Sequence, residues 1–270
     1  MTQPPVVLSI AGSDSGGGSG LQADLRTFAA HAVHGVCALT VVSAQNTESF
    51  VDAWAVPVNL LRSQIDTVTK DFTIDVTKTG LLYSEDNIML VKEKAESGVF
   101  QHLVVDPVIV NRHGEPLYDK RLIRLIRKLL VPRSSVLTPN HLEAMKLLEI
   151  DADDEIDSMC DMALMLGALG AETVVVTGGR RRGLKMVDVV AANGEVTVLE
   201  TQRHQTSNVR GSGDSFSAAI AAQIAKGTNV MEAISASQHF TSEAISRSAN
   251  WTLYTARNLD LFTMVVQFRH

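Results

Sequence analysis

The sequence predicts an α/β fold in which a mostly parallel sheet is covered by helices on both faces, and three observations lead there. Short β-branched runs alternate with longer stretches of helical period along most of the chain, as strand–helix–strand units require. Several of the runs are almost continuously apolar, which suits strands buried on both faces. Hydrophobic residues make up 45% of the chain and aromatics only 5%, the Val-, Ala- and Leu-rich balance of open parallel sheets.

Taken in order, residues 6–11 read as the first strand, followed by a glycine loop and a helix near 20–31. Residues 35–44 form a second strand, and 58–70 have helical spacing. A short strand at 75–80 precedes a helix near 85–96. Next come a strand at 102–108, a helix at 119–130, a strand at 135–138 and a helix at 140–148. A helix near 154–169 leads into the buried strand TVVVT at 173–177. There the alternation breaks. Residues 185–192 and 195–201 read as consecutive strands joined by a tight Asn193-Gly194 turn, a hairpin signal. Helices at 213–226 and 230–247 close the periodic part.

The 270 residues can bury the core of one large α/β domain or two small ones. No repeat, low-complexity segment or linker marks a boundary, so a single domain over 1–270 is expected, with 251–270 as an atypical tail. A net charge of −6 without a basic stripe argues against a nucleic-acid partner. There is no apolar run of about 18 residues, so no membrane span is expected, and residues 1–5 do not read as a signal peptide. Cys37 and Cys160 lie in apolar periodic segments outside any CxxC pair, and are expected to be buried thiols in a reducing cytoplasm.

Two glycine loops carry the chemistry. The first, Gly12-Ser13-Asp14-Ser15-Gly16-Gly17-Gly18-Ser19-Gly20, follows the first strand, at the sheet edge where parallel sheets bind ligands. It lacks the lysine of a P-loop and the spacing GxGxxG. It reads as a contact surface for an unspecified ligand or as a tight structural turn. The second, Arg210-Gly211-Ser212-Gly213-Asp214, opens a helix of small residues. Exposed amides at a helix start suit a transferring phosphoryl group, and an aspartate there can accept the proton of an attacking hydroxyl. The alternative is a helix cap with an acidic first turn.

Further polar groups fall at strand ends. Asp106 sits before Pro107, which ends the ladder, and Glu143 opens the helix after Thr138-Pro139. Two carboxylates above neighbouring strands can hold Mg²⁺ directly or through water, or serve only as caps. Gln45-Asn46-Thr47 offers uncharged groups suited to a neutral polar ring. Asp24, one turn into the first helix, binds the same ligand or complements the helix dipole. The acidic run 151–155 reads as the start of a helix. His31, His34, His102 and His113 show no metal-ligand spacing and read as surface or capping residues.

Together the stretches LSIAGSDSGGGSGLQADLRTF, VVSAQNT, VTKTGLL, VVDPVIV, LTPNHLEA, VVVTGG and GSGDSFSAAIAA resemble the hydroxymethylpyrimidine/phosphomethylpyrimidine kinases of thiamine biosynthesis, in the ribokinase-like superfamily. The resemblance runs in order over most of the chain. It implies a three-layer α/β/α sandwich, ATP and Mg²⁺ as cofactors, a cytoplasmic homodimer, and phosphorylation of 4-amino-5-hydroxymethyl-2-methylpyrimidine. Under it, Gly12, Asp24, Gln45 and Val108 line the aminopyrimidine pocket. Asp106 and Glu143 organise Mg²⁺ and the phosphates, and Thr177, Gly179 and Ser212 line the nucleotide site. Gly211, Gly213 and Asp214 form the anion hole and the group facing the hydroxyl.

Several positions depart from the pattern. RGSGD stands where many of these kinases carry a histidine-led HGTGC, and the aspartate is the general-base choice of the wider superfamily. It suits the first phosphorylation and leaves the second, of the monophosphate, open, since a carboxylate repels a phosphate dianion. Arg180-Arg181-Arg182 follows Gly179 as either a solvated loop or a phosphate clamp, Ser19 replaces a common alanine, and the tail is unlike the family's. A pyridoxal or pyridoxine kinase and a non-catalytic pyrimidine-binding protein are the competing readings.

Overall fold

The computed structural model describes residues 3–46, 48–111, 114–179, 183–206 and 209–247. Thr47, His113, Arg180, Arg181, Arg182 and the tail 251–270, on which the sequence placed expectations, lie outside them. The chain groups into two compact units, Met1–Leu82 with His204–His270, and Tyr83–Arg203.

In the first unit, β1 (Val6–Asp14) lies between β2 (His34–Gln45) and β4 (Val76–Thr79), parallel to both, and β3 (Phe50–Ala55) pairs antiparallel with β2 at the edge. Every residue of β1 from Val6 to Gly12 is buried. Successive side chains of a strand point to opposite faces, so both faces of β1 are covered. The covering helices are α1 (Gly20–Ala30), α2 (Val58–Asp71), α7 (Ser212–Ala225) and α8 (Val230–Ser246). Helix α7 packs against β1, β4, α1 and α8. Its SFSAAIAA run is buried throughout, because small side chains let a helix lie close to its neighbours.

In the second unit, β5 (Leu103–Val105), β6 (Val136–Leu137) and β7 (Thr173–Thr177) are parallel, and β8 (Lys185–Ala192) and β9 (Glu195–Gln202) continue antiparallel. Helices α3 (Glu85–Glu96), α4 (Lys120–Leu129), α5 (His141–Leu148) and α6 (Ile156–Ala168) belong to it. The hairpin turn has φ 53° at Asn193 and 79° at Gly194, the two left-handed residues that a type I′ turn needs and that Asn-Gly supplies.

Four features depart from expectation. The strand at 6–11 extends to Asp14, so the first loop begins only at Ser15; a register shift between Ala11 and Ser13 lets the glycine-containing segment stay in the sheet. Strand β3 was not anticipated. All its residues but Ala53 are exposed, so no face selects an alternating pattern. Cys37 is exposed and Cys160 half-buried, both free. Alternation along β2 buries Val36 and Ala38 and turns Cys37 outward. The acidic run stays outside α6, where the Asp153 carboxylate accepts the Glu155 N–H. Among the described residues no helix is long and apolar enough to cross a membrane.

His31 caps the end of α1, with its ring 4.5 Å from that of Phe240. Its Nε2 is buried without a hydrogen-bond partner. Burial first, and Lys226 second, push its pKa from 6.5 down to about 4. The folded chain therefore binds fewer protons at this site than the unfolded chain, so stability is full above about 6.5 and falls as pH drops toward 4. The residue is half-buried, and solvent screening reduces the effect to roughly 1–2 kcal/mol. Urea unfolding should show the wild type losing that much relative to His31→Phe between pH 6.5 and pH 4; parallel profiles would contradict the assignment.

Candidate active site

The first unit brings both glycine loops together. Asp14 closes β1 and folds the first loop around its own carboxylate. Oδ1 accepts the Gly16 N–H at 2.8 Å, and Oδ2 accepts the N–H groups of Gly18 and Ser19 at 3.1 and 3.0 Å and the Ser19 hydroxyl at 2.7 Å. Such a cluster of amides favours an anion, and here the chain provides it. Arg210 donates from Nη2 to Asp14 Oδ2 at 3.1 Å and to Gln45 Oε1 at 2.9 Å. Gln45 is therefore oriented with its carbonyl oxygen taken and its amide donors left for another group.

The second loop crosses the first in backbone contact. Gly211 has φ +74°, and a Cβ there would lie 1.9 Å from the Gly18 carbonyl oxygen. Gly20 has φ +58°, with the corresponding point 2.3 Å from the Gly12 carbonyl oxygen. Only glycine satisfies both demands. Helix α7 then begins: the Ser212 N–H donates to Val209 and the Ser215 N–H to Gly211. Among the described residues the N–H groups of Gly213 and Asp214 donate to nothing, and a Cβ at Gly213 would meet no atom within 4 Å. The second loop thus keeps two amides at a helix start for an outside anion.

Asp214 Oδ1 accepts the Gly20 N–H at 3.1 Å, and the side chain is 18% exposed. It thus stands at the start of both α1 and α7, where helix dipoles stabilise negative charge. Oδ2 accepts no hydrogen bond among the described residues. One oxygen sets the position and the other is open to a proton.

Beneath it lies a residue that the sequence reading passed over. Lys78, in the wholly buried β4, has no exposed surface and donates to Asp24 Oδ1 at 2.6 Å. Ser9 donates to Asp24 Oδ2 at 2.5 Å. This corrects the expectation for Asp24. Both its oxygens are engaged and its side chain is sealed from solvent, so it serves as the counter-ion of Lys78 and does not line a pocket. Burial pushes the Asp24 carboxyl up to about 6, against the pull of Lys78. A lysine within the apolar strand VTKT was the available signal, because lysine is almost never fully buried unless paired.

The second unit holds the other predicted residues. Asp106 is buried where β5 ends. Val108 has φ +42°, unusual for a β-branched residue and costing of order 1–3 kcal/mol. The turn is held by Glu143, whose Oε1 accepts the N–H groups of Ile109 and Val110 at 2.8 and 3.3 Å. Its Oε2 accepts the Asn140 N–H at 3.0 Å and completes the capping box of α5. Glu143 thus works as a clamp on the Val108 turn. Thr177 ends β7 and donates its N–H to the Pro139 carbonyl; Gly178 N–H donates to Asp188 at 3.1 Å. The Gly179 carbonyl accepts from Arg203 Nη1 at 3.1 Å, while Arg203 Nε and Nη2 are buried without partners among the described residues. Arg203 was not foreseen either, and nothing in its sequence neighbourhood singles it out.

Among the described residues no three His, Cys, Asp or Glu side chains gather as a metal site. Mg²⁺ needs only one or two carboxylates, with phosphate oxygens and water completing its shell. Asp106, buried at the end of β5, supplies one carboxylate of that kind. Glu143, with both oxygens on backbone amides, fits it only through water.

The family model for phosphomethylpyrimidine kinase matches residues 14–256, nearly the whole chain. The chain belongs to the phosphomethylpyrimidine kinase family. A hydroxymethylpyrimidine/phosphomethylpyrimidine kinase of Synechococcus elongatus is 39% identical over 90% of this chain and 92% of its own. A pyridoxine kinase of Bacillus subtilis is 37% identical over 89% and 90%. The solved structure of Bacillus subtilis pyridoxal kinase in complex with ADP superimposes with a TM-score of 0.89 at 35% identity, covering 98% of this chain and 100% of that one. The fold is the ribokinase-like one of these kinases. Phosphoryl transfer to an alcohol needs a base beside donors that hold the phosphoryl oxygens; the Asp214 loop sets a carboxylate beside two amides that donate to nothing among the described residues.

Proposed function

We propose that the protein transfers the γ-phosphoryl group of ATP to the hydroxymethyl group of 4-amino-5-hydroxymethyl-2-methylpyrimidine. The observation that carries this is the open Oδ2 of Asp214 beside the two unpartnered amides of Gly213 and Asp214. The acceptor hydroxyl gives its proton to Asp214 as its oxygen forms a bond to the γ-phosphorus. The bond from that phosphorus to the β–γ bridging oxygen breaks, and ADP leaves with the electron pair. The amides of the α7 start, with Gly211 and Ser212 shaping the turn, hydrogen-bond the phosphoryl oxygens as charge spreads over them. Asp106, and Glu143 through water, would hold Mg²⁺, which would neutralise phosphate charge. Thr177, Gly179 and the unpaired donors of Arg203 serve the nucleotide. Gly12, Gln45 and Val108 serve the ring, Gln45 by donating to a ring nitrogen.

For the monophosphate as acceptor, Arg210 does not cancel the repulsion from Asp214. Its guanidinium is already shared between Asp14 and Gln45. The first phosphorylation should therefore outrun the second, and monophosphate should accumulate. A pyridoxine-type alcohol is the second reading, favoured by the near-equal identity to the two kinds of relative. We place the enzyme in the cytoplasm as a homodimer acting through one kinase domain. Mass detection of mono- and diphosphate products from each alcohol with ATP and Mg²⁺ tests the proposal. Turnover of the pyridine alcohol alone would replace it, and binding of either without ADP formation would mean that the chemistry has been lost.

A further inference from the structure

The geometry points to Lys78 as a positioning residue for Asp214, with Asp24 holding its ammonium back from a direct bond to the base. The inference rests on Asp214 taking the hydroxyl proton, as proposed above. Three elements converge on this point. Ser9 and Lys78 are partners in the parallel β1–β4 register, so their side chains leave the same face of the sheet. Both reach Asp24 on α1. Helix α7, packed on β1 and β4, sets Asp214 Oδ1 4.0 Å from the Lys78 nitrogen.

Two carboxylates thus share one buried ammonium unequally. Asp24 takes the short hydrogen bond at 2.6 Å, while Asp214 lies outside hydrogen-bond distance at 4.0 Å. At that separation Lys78 still attracts Asp214 and keeps its carboxylate turned inward. Asp214 gives up no lone pair to it. A direct Lys78–Asp214 bond would make the base a paired carboxylate, and accepting a proton would then break the pair. With Asp24 interposed, Lys78 keeps its short hydrogen bond to Asp24 while Asp214 changes charge. The Gly20 N–H holds the same Oδ1, so Oδ2 faces outward. The other charged groups on these loops, Arg210 and Asp14, are engaged with each other.

The test uses the full-length protein and follows kcat and KM separately, because a residue that only supports folding would not divide them. The pair variant Lys78→Met/Asp24→Asn removes both charges together, so neither is left buried and alone. It should melt cooperatively, keep KM for alcohol and ATP within about threefold, and lose about 10- to 100-fold in kcat. Asp24→Asn alone releases Lys78 onto Asp214 and should lose kcat to a similar extent. A folded pair variant with wild-type kcat would show that the ion pair serves folding only and would overturn the inference. Should the pair variant not fold, Asp24→Asn decides, and wild-type kcat there overturns it equally. Asp214→Asn is measured alongside. Full turnover in that variant would remove the base itself, a separate result from loss of the Lys78 role.

Discussion

Asp214→Asn is expected to lower kcat by about 10²–10⁴-fold, the range over which a positioned general base acts. Binding of the alcohol should be preserved. The substitution is nearly isosteric, and the side-chain oxygen can still accept the Gly20 N–H that holds Asp214 at 3.1 Å. What disappears is the second acceptor oxygen, replaced by an amide group that has no lone pair for a proton. The helix-start amides are backbone and remain, so residual transfer should survive through stabilisation of the phosphoryl oxygens alone. Isothermal titration with the pyrimidine alcohol, beside steady-state ADP release, separates the two effects. Near-normal turnover would exclude Asp214 as the base, while lost binding would show that its role is to hold the acceptor.

Gly211→Ala should be strongly damaging for the addition of a single methyl group. The new Cβ would sit 1.9 Å from the Gly18 carbonyl oxygen, and φ is +74°. The contact is with backbone, so no side chain can swing aside. Either the loops part or α7 shifts at its first turn, where Gly213 and Asp214 lie. Displacement of reacting groups by about 1 Å costs on the order of 10²-fold in rate. The left-handed backbone adds roughly 1 kcal/mol of instability even without the clash. Gly167→Ala is the matched control: it lies inside α6, with nothing within 4 Å of the added carbon and no positive φ. That variant should keep full activity and gain about 0.5–1 kcal/mol from helix propensity. Equal kcat in the two variants would mean that the loop crossing does not set the site's geometry.

The elements that were legible in the sequence are those whose burial imposes a period. VVLSIA and TVVVT show apolar residues on both sides of the chain because both faces are covered in the structure. Asn193-Gly194 announced the hairpin because few residue pairs tolerate two left-handed conformations in a row. The edge strand β3 was silent for the opposite reason: with nearly every residue exposed, nothing selects its side chains. Cys37 was misplaced because apolar neighbours reveal that a strand is buried, not which of its faces a given residue joins.

The candidate site divides in the same way. Gly211, Gly213 and Asp214 were found in the sequence because a glycine turn opening a helix has local chemistry: amides without partners and a carboxylate beside them. The family, too, was legible, since its motifs follow one another along the chain. Only the tertiary structure showed that Asp24 is sealed against Lys78 and Ser9, that Arg210 is shared by Asp14 and Gln45, and that Glu143 clamps the turn at Val108. Those partners lie 15 to 196 residues apart, and the worth of a charge depends on what surrounds it once water has been excluded. The sequence determined which chemical groups the chain owns and where its strands end; tertiary packing decided which of those groups are used up on each other and which, like the outer oxygen of Asp214, remain open.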